Sequence, residues 1–179
     1  MLSRTERLAS TALFAAAALI LSYIEAMLPV ELVVPIPGFK LGLANLAVSA
    51  AFILLGTFPA FGVALCRIFL NFLLFGSLPS LWFSLAGGLF SFSALIVWRY
   101  LFIRYIGMMG LSVMCAAMHN LGQCLAAWFI FGSAVTAVWL PVLLLISLLT
   151  GTITGAILYF VADRLIKLRL FSGDRKGIS

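Results

Sequence analysis

Apolar residues run through this chain in long unbroken stretches, separated by short polar or proline-bearing breaks. The stretches lack the apolar–polar alternation of a barrel strand. Most approach the roughly 20 residues a helix needs to cross a hydrocarbon core of about 30 Å. Six spans are predicted, at about 8–28, 41–56, 58–76, 80–98, 107–131 and 137–162, the second one short. Prolines mark the cuts: Pro29, Pro35 and Pro37 in the first loop, Pro59 and Pro79 in the next two. Pro141 is expected in the first turn of the last span, where a missing N–H costs least. The pattern predicts an all-α integral membrane protein, a six-transmembrane-helix bundle. One membrane domain covers about residues 1–165 and a basic cytoplasmic tail about 166–179.

Composition agrees: 65% of residues are hydrophobic and 9% charged, where soluble domains carry about one-quarter charged residues. No room is left for a soluble domain. Charge then orients the bundle. With both termini in the cytoplasm, Arg4, Arg7, Arg99, Arg104, Arg164, Lys167, Arg169, Arg175 and Lys176 lie inside, only Lys40 lies outside, and Arg67 falls within a span. A five-span layout would separate the two basic ends, so six is preferred. The net charge of +6 is thus a topology signal and points to the lipid bilayer rather than to nucleic acid. Arg4 and Arg7 ahead of an apolar run resemble a signal peptide, but the run is long, and it is taken as an uncleaved first span.

Polar groups inside a membrane are costly and mark function. They are few: Glu25 near the outer end of the first span, Asn45 near that of the second, Arg67 midway along the third with Asn71 beyond it, and His119, Asn120 and Gln123 in the fifth. Arg67 and Asn71 stand four apart, as do His119 and Gln123, so each pair shares a helix face. Arg67 stays charged and needs acceptors. Together these groups predict a donor-rich pocket for a polar or anionic solute, between mid-membrane and the outer surface. The competing interpretation is helix–helix hydrogen bonding, at about 1 kcal/mol a bond. The first loop, PVELVVPIPGFKLG, is apolar, contains Glu31 and Lys40, and is expected either to lie over that cavity as a lid or to serve as an interfacial connector.

Catalysis has little support. The acids Glu6, Glu25, Glu31, Asp163 and Asp174 form no aspartate pair for magnesium and a diphosphate, and no P-loop is present. Cys66, Cys115 and Cys124 show no metal spacing and are expected as small core residues. Cys115 and His119 stand four apart but lack a third ligand. No catalytic residue, metal or cofactor is therefore expected. Ala12-x-x-x-Ala16 in the first span is a face that packs in the bundle or docks a partner, whereas Gly151-x-x-x-Gly155 in the last predicts close packing within the bundle.

PIPGFKLGLANL after the first span, CRIFLNFLLFG around Arg67, SLAGG in the fourth span and HNLGQ in the fifth resemble a bacterial membrane family. That family is labelled heptaprenyl diphosphate synthase component I or Gx transporter, and the resemblance covers about residues 8–165. In layout it is similar to the substrate-binding S components of energy-coupling factor (ECF) vitamin importers. The resemblance implies a multi-pass protein of the bacterial cell membrane that binds a small vitamin- or cofactor-like solute from outside. A membrane coupling subunit and two ATPase subunits would energise it. Ala12 and Ala16 would be the docking face, and Gly38, Lys40 and Asn45 the loop and pocket rim. Arg67, Asn71, His119, Asn120 and Gln123 would line the pocket; by its depth along the chain Glu25 is the carboxylate in reach of Arg67, along with Glu31 if the loop folds in. The alternative it implies is a non-catalytic membrane subunit of heptaprenyl diphosphate synthase in isoprenoid and quinone biosynthesis, which would need an apolar groove and an aspartate-rich partner. A proton-driven carrier titrating Glu25 or His119 is disfavoured by the lack of an inverted repeat.

Overall fold

Each helix begins and ends where local chemistry permits. Ser3 and Glu6 form a reciprocal capping box: the Glu6 N–H donates to Ser3 Oγ (3.2 Å) and the Ser3 N–H to Glu6 Oε2 (2.7 Å). It opens α1, Arg4–Met27. In the computed structural model, which describes residues 3–27, 42–132 and 135–168, five more helices follow. They are α2 (Asn45–Leu55), α3 (Thr57–Phe75), α4 (Leu78–Val97), α5 (Met108–Phe131) and α6 (Val135–Lys167). A π turn, Trp98–Phe102, extends α4, and the Trp98 indole N–H donates to the Ile106 carbonyl (2.7 Å) across the bend into α5. Ser77 caps α4, with Pro79 in its first turn. Gly132, at φ 62, closes α5 in the left-handed conformation. The first loop with Glu31, Gly38 and Lys40, and most of the tail, lie outside the described residues.

Among the described residues the architecture is all-helical, and five helices are long and apolar enough to cross a membrane: α1, α3, α4 with its π turn, α5 and α6. Their outer faces carry exposed Leu, Ile, Phe and Trp side chains in the quantity expected of lipid-facing surface. The chain is a multi-pass membrane protein. The second expected span differs most from expectation. Its helix has 11 residues, about 16 Å at 1.5 Å per residue, roughly half the hydrocarbon thickness. α2 is also the most enclosed element, with every residue from Ala47 to Leu55 buried, and it touches each of the other five helices. It is an interior helix with no face left for lipid.

The remaining helices pack around α2 as two groups. α1 and α3 flank it on one side, while α4, α5 and α6 form a second, tightly packed set. Within that set the backbones nearly touch. A Cβ at Gly122 would stand 2.6 Å from the Ala86 carbonyl oxygen, one at Gly151 2.5 Å from Val113 Cα, and one at Gly155 2.7 Å from Met109 Cα. The Gly151-x-x-x-Gly155 face therefore packs α6 on α5, as its spacing implies. Two local expectations are corrected. α6 begins at Val135, so Pro141 lies inside the helix rather than in its first turn. Cys115 and Cys124 are buried, but Cys66 is exposed on the outer face of α3, an apolar thiol facing the lipid side.

Candidate functional site

Helix geometry brings the intramembrane polar residues to one level. Asn45 lies ten residues from the Leu55 end of α2, and Arg67 ten residues from the Thr57 start of α3. Only Gly56 separates the two helices, so both residues stand about 15 Å from that joint. The Arg67 guanidinium meets the Asn45 amide, Nη2 donating to Oδ1 at 3.2 Å. His119, eleven residues into the 24-residue α5, is at mid-length of its own helix.

The site grows outward from this bond. Gly42, immediately before α2, holds φ +85, a conformation an L side chain rarely adopts. Its N–H donates to Glu25 Oε1 on α1. A Cβ there would stand 3.0 Å from both Asn45 Nδ2 and His119 Cδ2. On the opposite side of the imidazole, a Cβ at Gly87 of α4 would stand 2.6 Å from His119 Cε1 and 3.1 Å from Gln123 Cγ. The His119 ring is thus seated between two glycines, one from the α2 entrance and one from α4. A Cβ at Gly88 would stand 2.9 Å from Ile68 Cδ1 and 3.6 Å from Arg67 Nη2. The Gln123 side-chain nitrogen lies 2.7 Å from His119 Nε2. The contact joins the amide and the imidazole, two groups one helical turn apart on α5.

All the described candidates are buried: Glu25, Asn45, Arg67, Asn71, His119, Asn120 and Gln123 each expose 8% or less. They do not share one contact set. Glu25, Asn45, Arg67, His119 and Gln123 are joined through Gly42 and Gly87 as above. Asn71 is buried one turn beyond Arg67 on α3. Asn120 lies on the α6 side of α5, where its Nδ2 donates to the Leu143 carbonyl (3.0 Å) and to Ser147 Oγ (2.7 Å). That contact ties α5 to α6. Lys40 lies outside the described residues. Ala12 and Ala16 are exposed on the outer face of α1, away from its buried stripe of Phe14, Ala18, Ser22 and Glu25.

Three buried polar atoms on these residues have no hydrogen-bond partner among the described residues: Asn45 Nδ2, Arg67 Nε and Asn120 Oδ1. The first two are donors, on two side chains already bonded to each other. Leaving a buried donor unsatisfied costs about 1–3 kcal/mol, more for a charged group. Both therefore keep hydrogen-bonding capacity that no described residue meets. A small cavity of about 20 Å³ opens beside Asn45. Around it are Gly42, Ser49, Ser112, Cys115, Thr150 and Thr154, from α2, α5 and α6 and the turn before α2.

Sequence reasoning did not single out these glycines and hydroxyls as site residues. SLAGG served only as a family mark. Yet a Gly-Gly pair inside an apolar helix signals close approach, and here it makes the seat for His119. A second, apolar groove of about 620 Å³ runs between α4 and α5. Trp82, Leu85, Leu89, Phe90 and Phe129 form its walls, and Ala86 and Ala126 are among its lining residues.

Residues 14–161 match the family described as heptaprenyl diphosphate synthase component I. No curated protein and no solved structure matches the chain.

Proposed function

The chain belongs to the heptaprenyl diphosphate synthase component I family, and from that premise we propose that it is a non-catalytic membrane subunit that binds a small polar solute at the Asn45–Arg67–His119 layer. The observation that carries this reading is the pair of spare buried donors, Asn45 Nδ2 and Arg67 Nε, on two side chains bonded to each other, with Asn45 also lining a small cavity. Asn120, which ties α5 to α6, spends its amide donors on Leu143 and Ser147, whereas Asn45 and Arg67 keep donors spare. Donors held open at mid-membrane suit a ligand instead.

In this proposal the protein works as an S-component-like subunit of an ECF-type importer in the bacterial plasma membrane, crossing it six times with both termini inside. The solute enters from outside, under the loop that carries Lys40. The chain contains no nucleotide-binding motif, so ATP hydrolysis is assigned to two separate ATPase subunits acting through a membrane coupling subunit. The small-residue face of Ala9, Ala12 and Ala16, exposed on α1, supports α1 as the docking helix for that subunit.

A second reading is an accessory membrane subunit of heptaprenyl diphosphate synthase. The family description and the α4–α5 groove favour it, since the groove offers an apolar bed for a prenyl chain. One experiment separates the two. The tagged protein is purified from its own cells in mild detergent, and the proteins and small molecules that accompany it are identified by mass spectrometry. A coupling subunit, two ATPases and a polar metabolite are expected. Recovery of an aspartate-rich prenyl synthase in their place would overturn the importer reading in favour of the second.

A further inference from the structure

We propose that the bend between α4 and α5 is a binding site for the headgroup of an anionic phospholipid, with Arg99 and Arg104 as the residues that take its phosphate. This site is separate from the Asn45–Arg67–His119 layer and independent of what that layer binds.

Contacts between helices place nearly all the described charge at one end of the bundle. Arg7 of α1 donates to the Leu55 carbonyl, so α1 starts where α2 finishes. Arg99, just past the end of α4, lies over Phe52 in the last turn of α2. α6 runs antiparallel to α5, with Gly151 against Val113 and Gly155 against Met109, so its last turns pass the start of α5. Arg4, Arg7, Arg99, Arg104, Arg164 and Lys167 are thus gathered at this end. Its described acids are Glu6 and Asp163, and both are engaged: Glu6 in the capping box with Ser3, and Asp163 with Lys167 (2.7 Å). Arg99 and Arg104 meet no carboxylate among the described residues. Glu25 and Arg67 are buried within the bundle, and the stretch with Glu31 and Lys40 joins the other ends of α1 and α2. The sequence beyond α6 adds Arg169, Arg175 and Lys176 against Asp174. A positive end face on a membrane-embedded bundle meets the anionic headgroups of one leaflet.

Within that face the α4–α5 bend is the part built to hold a phosphate. Its backbone is fixed. The Trp98 indole N–H donates to the Ile106 carbonyl (2.7 Å), and the Tyr105 and Ile106 N–H groups both donate to the Phe102 carbonyl (2.9 Å each). Arg99 is half-buried, its guanidinium 5.7 Å from the Phe52 ring centroid. That contact engages the charge and spends no N–H donor, so the fork remains for phosphate oxygens. Arg104, Tyr100 and Tyr105 are exposed on the same bend. Leu101 and Phe102, also exposed, stand between the two arginines in the chain. Cations, phenols and apolar side chains together belong at the border between headgroups and hydrocarbon. An acidic protein surface would answer the arginines alone. A phospholipid answers them with its phosphate and covers Leu101 and Phe102 with its chains.

The full chain is purified in neutral detergent and titrated with dioleoyl phosphatidylglycerol or dioleoyl phosphatidylcholine, and the first lipid bound is followed by native mass spectrometry. Wild-type protein is expected to hold phosphatidylglycerol at least about tenfold more tightly than phosphatidylcholine, since each arginine at a headgroup is worth about fivefold. Arg104→Gln alone should lower phosphatidylglycerol affinity about fivefold. Arg104 is exposed and bonds no other described residue, so this change reads the lipid site and not the fold. Arg99→Gln combined with Arg104→Gln should bring phosphatidylglycerol down to the level of phosphatidylcholine. Arg4→Gln combined with Arg164→Gln removes the same charge from the same face and should leave most of the preference in place. Equal binding of the two lipids by wild-type protein would overturn the proposal. So would a loss in the Arg4 and Arg164 double variant as large as in the Arg99 and Arg104 one, because the attraction would then be one of total charge and not of the bend.

Discussion

The two halves of the bundle are held together by different means. In α4, α5 and α6 the closest contacts are backbone on backbone, at Gly122, Gly151 and Gly155, where a single methyl group would not fit, with the Asn120 amide adding one side-chain tie. In α1, α2 and α3 the joints are side chains. Glu25 takes the Gly42 N–H at one end of α2, Arg7 Nη2 donates to the Leu55 carbonyl (3.3 Å) at the other, and Arg67 bonds Asn45 between them. Arg99, from the π turn, adds a cation–π contact over Phe52 of α2, 5.7 Å from the ring centroid. Close-packed glycine seams have one arrangement, because interiors at that density do not deform by degrees. Hydrogen bonds from long side chains tolerate small displacements. The candidate site lies where the two kinds of contact meet, its His119 seated by Gly87 on the close-packed side and Gly42 on the adjustable one.

The sharpest way to break this contrast is at the seam. Gly122→Val should be the most damaging single change, since its Cβ would collide with the Ala86 backbone, which has no flexible end to move aside. A loss of about 3 kcal/mol or more is expected, seen as failure to recover folded protein or a large drop in Tm in detergent. Arg67→Ala ranks next and acts differently. Removing the cation strands Glu25 and frees Asn45 Oδ1, so solute binding should fall by about a hundredfold or more, on the scale of 2–5 kcal/mol for breaking a buried charge-linked contact. Binding that survives at wild-type strength would place the site elsewhere. The smallest effect is expected from Asn120→Leu. It severs the tie to Leu143 and Ser147 within the close-packed half and should cost about 1 kcal/mol of stability, with solute affinity unchanged. A binding defect there would show that Asn120 belongs with His119 after all.

Much of this was legible in the chain. Long apolar runs give helices, and the rarity of polar residues within them made each buried one conspicuous, from Glu25 to Gln123. What pattern could not resolve was direction. His119 and Asn120 are neighbours in sequence, but adjacent helical positions point about 100° apart. Only the placement of α4 and α6 decides that His119 meets Gly87 while Asn120 meets Leu143 and Ser147. The length of α2 was equally hidden. Residues 41–56 read as one apolar run, yet the helix starts at Asn45, with no side-chain cap. Gly42 before it, at φ +85, gives its N–H to Glu25, seventeen residues away on α1, and a side chain there would meet His119 of α5. Tertiary contacts, not local propensity, set that boundary.

The single-residue joint at Gly56 has a consequence for how the protein enters a membrane. Gly56, at φ 95, turns the chain directly from the end of α2 into α3 without a loop. A segment of 11 residues is too short for the lipid to hold as a transmembrane helix on its own. α2 therefore keeps its position only in the company of α1, which grips both its ends, and of α3, from which it cannot be parted. Biogenesis of this half is expected to proceed as a delivery of three helices at once, with Arg67 carried into the hydrocarbon already facing Asn45.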